Sequence, residues 1–527
     1  MIESLQLHNY KAFDTVSIPI KPITIFLGAN SVGKSSIIQM LMLLHQTAEG
    51  KTNNYSSALK IYGNYVNAGA CENLFKRKNT ASPLLICVEI NSDDMLERIK
   101  LLKTEFIDVF HRISFFLKWK PTIEIDQIAS LDTFSQYLTN FIDKLKKDNN
   151  TEKDSIVNYF IGEYLGISEN EINNITLEEM LETYKFLDKL SQLSSLPIKI
   201  SYNLVESDSV LKILSFDIST DSGSIIKIQE KSVVSDFGNL SSIEASSILR
   251  KFTFDTTIFD CFDGEESKQN KTALPNFICK TIDIILQEFK NNCINSQINY
   301  VSPLRAHPKR YYMLDKANTT ISLNTLDGDE IAEVLKENKD VHFFGHHFCY
   351  NKDVKNNVNT WFGKFGLKLD VNQFKEVVHN VNVTQNNLKL DITDVGFGIS
   401  QVLPIIIQGF LSPTKSITII EQPEIHLHPK MQADLGDLFI DIVQKKHKKI
   451  IIETHSEYLL RRIRRRISEG KISAEDVSIC LFQPMKNGKG SEVEILQIAE
   501  KGSFQWPDDF YGGELYNDTT EFLKNQS

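Results

Sequence analysis

The segment Gly28-Ala29-Asn30-Ser31-Val32-Gly33-Lys34-Ser35 has the residue types and spacing to hold a phosphate chain. Its glycines let the backbone wrap so that N–H groups and the start of a following helix face the phosphates. Lys34 reaches β and γ phosphoryl oxygens, and the Ser35 hydroxyl ligates Mg²⁺. Gly28, Asn30, Gly33, Lys34, Ser35 and Ser36 are therefore the candidate nucleotide contacts.

A phosphate loop specifies a nucleotide and not a reaction. Hydrolysis needs an acidic strand end that holds the cation and polarises the attacking water. One such end follows the apolar run Lys415–Ile420, where Glu421-Gln422-Pro423-Glu424 leads into Ile425-His426-Leu427-His428-Pro429. Glu421 is the candidate metal carboxylate. A second apolar run, Lys449–Ile452, ends in Glu453-Thr454-His455-Ser456, and a histidine there can reach a γ-phosphate or its water. His426 and His428 lack the third and fourth ligands of a closed zinc site and read as loop-shaping residues.

These residues need elements to carry them. Met1–Ile20 reads as an edge hairpin, Lys21–Gly28 as a short β-branched strand, and Ser35–Thr47 as a buried helix, which is the strand, turn and helix context of a phosphate loop. The whole chain has 527 residues, 41% of them hydrophobic, enough for two or three domains and a sizeable core. Gross disorder, collagen and a small disulfide scaffold are excluded. The net charge of −10 leaves no chain-wide positive field, so any nucleic-acid site must be a local patch. The seven cysteines, Cys71, Cys87, Cys261, Cys279, Cys293, Cys349 and Cys480, never form C-x-x-C and read as small core residues of a reduced protein. Met1–Asn9 lacks the basic start and apolar run of an export signal, so a soluble, cytoplasmic protein without a membrane partner is expected.

In order, GANSVGKSS, DVGFGISQVLPI, IIEQPEIHLHP and IIETHS resemble the ABC-type ATPase head shared by the RecF, SMC and OLD-like families. The nearest branch is that of standalone bacterial AAA-type ATPases with an uncharacterised C-terminal domain, whose relatives serve in anti-phage systems such as Septu, PARIS and certain retrons. The resemblance spans about residues 1–90 and 295–520, and also touches Ile61–Phe75 and Tyr300–Tyr312. It implies ATP and Mg²⁺ as cofactors, Gly28, Gly33, Lys34 and Ser35 as Walker A, Glu421 at Walker B, and His455 as the switch histidine. Asp394–Gln401 falls at the signature motif, so Gly398, Ser400 and Gln401 would meet the nucleotide of an opposite head in a head-to-head pair or larger oligomer. By itself that stretch reads equally as a plain loop-to-helix start.

The departures bear on chemistry. The customary catalytic glutamate is replaced by Gln422, whose amide cannot accept a proton. Glu424 is the obvious substitute. Either it reaches the attacking water, or turnover is slow and the protein works as an ATP-loaded clamp. The signature also lacks the usual serine-glycine-glycine string.

Several hundred residues separate Lys34 from Glu421, far more than a nucleotide fold needs, so a large lobe is inserted in the head. The expected organisation is 1–90 for the N-terminal part of the head, 91–294 for a mainly helical lobe with some strands, and 295–527 for the rest of the head. The fold class is thus an α/β ABC-type P-loop head with an inserted lobe. Asp93–Lys120, Leu177–Leu190 and Asn276–Asn291 carry helical periodicity, and Tyr202–Thr257 shifts toward strands. Lys146–Ser155 and Gly264–Lys271 read as loops. No long heptad run exists, which argues for a compact lobe and against extended coiled-coil arms.

Arg461, Arg462, Arg464, Arg465 and Arg466 form a basic cluster, with Tyr458, Leu459, Leu460, Ile463 and Ile467 as the buried face of their helix. It could bind DNA, RNA or an acidic partner, or be a solvated face. His307, Lys309 and Arg310 are a second such patch. After His455, through Trp506–Asp509, no room is expected for the Toprim nuclease domain with which OLD-like proteins continue. The function implied is an ATPase subunit of an anti-phage complex, acting as sensor or scaffold for a separate nuclease or toxin effector. The alternatives are a RecF-like DNA-binding repair clamp and an ATP-dependent structural subunit.

Overall fold

The computed structural model describes residues 1–50, 57–121, 123, 127–128, 130–147, 162, 165, 176–193, 197–263, 273–295, 297–303, 305, 308–313, 335, 341–343, 346–348, 354–375, 378–486, 488–504, 520–521 and 523–525. His307, Cys349, Trp506–Asp509, residues 148–155 and the Gly264–Lys271 segment lie outside them. The chain divides into two compact units, Met1–Lys11 with Gln46–Cys293, and Ala12–His45 with Ile294–Ser527.

All the nucleotide-site candidates belong to the second unit. Its main sheet has six strands in the order Ser491–Leu496, Val477–Pro484, Ile23–Gly28, Lys449–Glu453, Ile417–Glu421 and Ile298–Val301. Every neighbouring pair is parallel except the first, which is antiparallel. Ile23–Gly28 is central and buried along its whole length, which is why it reads as an unbroken apolar run instead of alternating. Parallel strands all end on the same side, so Gly28, Glu421 and Glu453 arrive at one edge, where ligands bind in open α/β sheets.

Helices cover this sheet. Phe397–Leu411 packs on the strands Ile298–Val301 and Ile417–Glu421, and Pro429–Lys446 packs on Lys449–Glu453 and Ile23–Gly28. The core beneath them joins Ile25, Leu27, Ile420, Ile452, Val402, Ile406, Leu435 and Phe439. The end of the Phe397–Leu411 helix is closed by Lys448, whose Nζ donates to the Gly409 carbonyl (2.9 Å), the Ser412 hydroxyl (2.7 Å) and the Ser412 carbonyl. Burial pushes this ammonium down to about 6.

The first unit is built on an antiparallel sheet in which Ile2–Tyr10, Leu84–Ile90, Ile198–Ser207, Val210–Thr220, Gly223–Gln229 and Ser232–Val234 pair in succession. Ile198–Ser207 alternates buried and half-buried residues, as a strand with one covered face does. The helices Asp93–Phe116, Leu131–Lys147, Leu177–Ser191 and Leu274–Gln287 pack on one another around Phe106, Phe110, Phe134, Tyr184 and Phe277. Two of these helices start at side-chain caps. Ser92 accepts from the Met95 N–H, and Thr176 with Glu179 closes a reciprocal capping box.

An α/β P-loop architecture with a large, mainly helical insertion is what the sequence leads one to expect, and it is what the chain forms. Two details differ. The strand pattern expected over Tyr202–Thr257 stops at Val234, because Ser241 and Glu244 form another capping box and start the helix Ser242–Leu249. The Leu131–Lys147 helix takes in Lys146 and Lys147, assigned above to a loop. Among the described residues six cysteines are buried, free thiols, as expected of core residues. Among the described residues no helix is long and apolar enough to cross a membrane.

Candidate functional site

The phosphate loop folds as the glycine positions require. Gly28 (φ +140°) and Gly33 (φ +98°) lie where side chains are strained, and they are also crowded: a Cβ at Gly28 would sit 2.3 Å from the Phe482 carbonyl oxygen, and one at Gly33 2.6 Å from the Phe13 ring. The helix Lys34–Ala48 then begins at the lysine itself, with its N–H groups at the loop. Asn30 and Ser35 are exposed, Ser36 is half-buried, and Lys34 is 4% exposed.

The Lys34 ammonium is turned back into its own loop. It donates to the carbonyls of Gly28 (2.9 Å) and Ala29 (2.8 Å), and it stands 3.6 Å from Glu453 Oε1. Burial lowers its pKa against the opposing pull of Glu453 and Glu421. Ser35 Oγ donates to Glu453 Oε2 at 3.5 Å. Glu453 is 5% exposed, and its Cα is in register with that of Glu421 on the adjacent parallel strand. Burial, together with the Glu421 carboxylate, pushes Glu453 up to about 7.

A hydroxyl and two carboxylates at this edge fit a hard divalent cation, which prefers oxygen ligands and keeps water and phosphate oxygens in its shell. Among the described residues no group of three or more His, Cys, Asp or Glu could hold a metal by itself.

Glu421 has a partner of its own: the Tyr300 hydroxyl donates to its Oε1 at 2.6 Å, and burial with the nearby carboxylate pushes this phenol upward. Arg305 Nη2 donates to the carbonyls of Glu421 (2.7 Å) and Gln422 (3.2 Å), and burial lowers the guanidinium to about 10. Its Nε and Nη1 are buried without a hydrogen-bond partner among the described residues. Gln422 bends the chain out of the strand in a left-handed conformation (φ +46°), held by its N–H to the Glu453 carbonyl at 2.7 Å.

Glu424 is returned to the site by that bend. One oxygen accepts from the Thr454 hydroxyl (2.8 Å) and the other from the His455 N–H (2.6 Å), so the carboxylate latches the segment that carries the histidine. Ser456 then caps the helix Glu457–Ser468 through the Leu459 N–H and donates to Gln432. Burial and the charge of Lys34 lower the His455 pKa against the opposing pull of Glu424 and Glu453.

The signature-like segment begins with exposed Asp394 and Gly396 and passes into the helix Phe397–Leu411. Gly398 is needed for close approach, since a Cβ there would lie 2.7 Å from the His426 carbonyl. Ser400 and Gln401 are enclosed, at 5% and 3% exposure. His428 caps Pro429–Lys446 by accepting from the Lys430 N–H, a loop-shaping role.

The arginine helix is mostly tied to its own chain. Arg462 pairs with Asp434 (2.8 Å) and Asp437 (2.5 Å), Arg466 with Asp437 (2.6 Å) and Glu469 (2.5 Å), and Arg464 reaches the Gly502 carbonyl and the Phe504 ring. Arg461 and Arg465 are 65% exposed and pair along the helix with Glu457 and Glu469. Leu459, Leu460, Ile463 and Ile467 form the buried face, but Tyr458, expected among them, is 49% exposed.

The loop, Glu421, Glu424 and His455 are thus brought together, while three residues with a part in the site, Glu453, Tyr300 and Arg305, carry no role in the sequence reading. For Glu453 the signal was present: it ends an apolar strand just as Glu421 does.

A family model described as "AAA ATPase domain" matches residues 1–460. Solved structures similar to the chain include the SMC head domain from Thermotoga maritima (8% identity, TM-score 0.33, covering 94% of this chain and 99% of that one). Another is an SmcHead bound to the C-winged helix domain of ScpA (11%, TM-score 0.36, 95% and 98%). A third is an Smc head domain with an extended coiled coil bound to the C-terminal domain of ScpA derived from Pyrococcus furiosus (10%, TM-score 0.31, 94% and 96%). No curated protein matches the chain.

Proposed function

The chain belongs to the AAA ATPase domain family, and we propose from that premise that it binds and hydrolyses ATP as the sensor or scaffold subunit of an anti-phage complex, controlling a separate nuclease or toxin effector. The observation that carries the ATPase reading is the convergence of Lys34, Ser35, Glu421 and Glu453 at one edge of the sheet. Mg²⁺, when bound, offsets the charge of the β and γ phosphoryl groups. On binding, Lys34 would exchange the carbonyls of Gly28 and Ala29 for phosphate oxygens, and Ser35 and Glu421 would hold the cation. His455, whose backbone N–H is held by Glu424, would orient the attacking water.

Gln422 cannot take a proton, so either Glu424 serves the attacking water or turnover is slow and the ATP-bound state long-lived. The exposed start of the Asp394–Gln401 segment is the surface offered to the nucleotide of a second copy. The defence role rests on the likeness of GANSVGKSS, DVGFGISQVLPI, IIEQPEIHLHP and IIETHS to defence ATPases.

Two measurements test this reading. Lys34→Ala is expected to abolish binding of a fluorescent ATP analogue and phosphate release, and retained ATP turnover would overturn the site. Purification from the native host with ATP present and the genomic neighbours intact is expected to recover an effector. Recovery of the bare chain with DNA would replace the defence reading by a repair clamp.

A further inference from the structure

The side chain of Glu453 touches two groups of the phosphate loop at once. Oε1 is 3.6 Å from Lys34 Nζ, and Oε2 accepts from Ser35 Oγ at 3.5 Å. In a loaded P-loop these two groups serve different ligands, the lysine a phosphoryl oxygen and the hydroxyl the cation. An arriving phosphate therefore competes with Glu453 for Lys34. It also faces two buried carboxylates side by side, because Glu421 and Glu453 end adjacent strands in register. A metal-free triphosphate meets that repulsion unscreened, whereas a cation held at Ser35 removes it.

Resting on the ATP-binding reading above, we propose that Glu453 makes nucleotide entry depend on the cation: it contacts both Lys34 and Ser35 of the loop, repels metal-free phosphate, and joins Glu421 as a second carboxylate for the cation. The site is thereby selective for the metal complex of the nucleotide over the bare anion. Nothing in this assignment requires the carboxylate to change its protonation. It requires its charge.

The test uses the full-length chain and a fluorescent ATP analogue titrated at pH 8, where the carboxylate is charged, in excess EDTA and in excess Mg²⁺. Wild type should bind at least about tenfold more tightly with Mg²⁺ than without it. Glu453→Gln, which keeps the shape and removes the charge, should bind the metal-free nucleotide about tenfold more tightly than wild type does and lose most of the Mg²⁺ dependence. Glu453→Asp should restore that dependence. Occupancy of Mn²⁺ in the nucleotide complex, read by electron paramagnetic resonance, should fall in Glu453→Gln and recover in Glu453→Asp. An unchanged ratio of Mg²⁺ to EDTA affinities in Glu453→Gln, or an aspartate variant that behaves like the glutamine one, would overturn the proposal. A wild type that binds no nucleotide even with Mg²⁺ would overturn the ATP reading and this inference with it.

Discussion

Replacing Glu453 by glutamine is expected to stabilise the nucleotide-free protein at alkaline pH even though it damages the site. In the folded chain burial and the Glu421 charge push the Glu453 carboxyl from an ordinary 4.5 up to about 7. Between those values the folded state holds a proton that the unfolded chain has released. Stability contributed by that proton is full below about 4.5 and is lost as pH rises through 7. Above 7 the ionised carboxylate stands as a cost. At about 1.4 kcal/mol per tenfold the ceiling of that cost is about 3 kcal/mol. Solvent at the open edge of the site, and the counter-charge that Lys34 loses in the variant, reduce the net gain to about 1–2 kcal/mol. Denaturant unfolding in EDTA, comparing Glu453→Gln with wild type at pH 5 and pH 8, reads the difference directly. The variant should match wild type closely at pH 5 and exceed it at pH 8. A variant less stable at pH 8, or a gap of the same size at both pH values, would refute the reasoning and make Glu453 a net stabiliser through Lys34 and Ser35.

Other perturbations follow from the same geometry. Glu424→Gln replaces a carboxylate that accepts from both Thr454 and His455, and should lower steady-state phosphate release at least about tenfold while nucleotide affinity stays within a few-fold. Lys448→Met leaves the Gly409 and Ser412 carbonyls without their buried donor, which should cost about 2–4 kcal/mol in denaturant unfolding and leave nucleotide affinity in the surviving folded protein unchanged. Arg461→Glu with Arg465→Glu reverses the two arginines most exposed on their helix, and should change stability by less than about 1 kcal/mol. A nucleic-acid or acidic-partner isotherm that does not weaken in this double variant would assign the cluster to surface charge alone.

Motifs with local chemistry were legible before any coordinates. The loop from Gly28 to Ser35 is short, its glycines answer to local backbone needs, and its flanking strand and helix have distinct periodicities, so residue spacing was enough to locate it. The helices Asp93–Phe116 and Leu177–Ser191 were legible from their apolar periodicity, which is also local. Where local signals were read too broadly, as at Ser241 and Glu244, the helix Ser242–Leu249 went unseen although its capping box was in plain sight.

What the tertiary structure decided concerns residues that meet across long stretches of chain. Glu453 reaches Lys34 and Ser35 only because two parallel strands far apart in sequence lie side by side and end together. Tyr300 and Arg305 join Glu421 for the same reason, through the edge strand Ile298–Val301. The arginine run shows the converse. Composition presents five neighbouring charges, but the partners that occupy Arg462 and Arg466, chiefly Asp434 and Asp437, sit on a different helix, and packing alone brings them within reach. Residue type and spacing determine what a segment can do. Which of those capacities is used depends on the neighbours that parallel strand order and helix packing supply, and no local pattern encodes them.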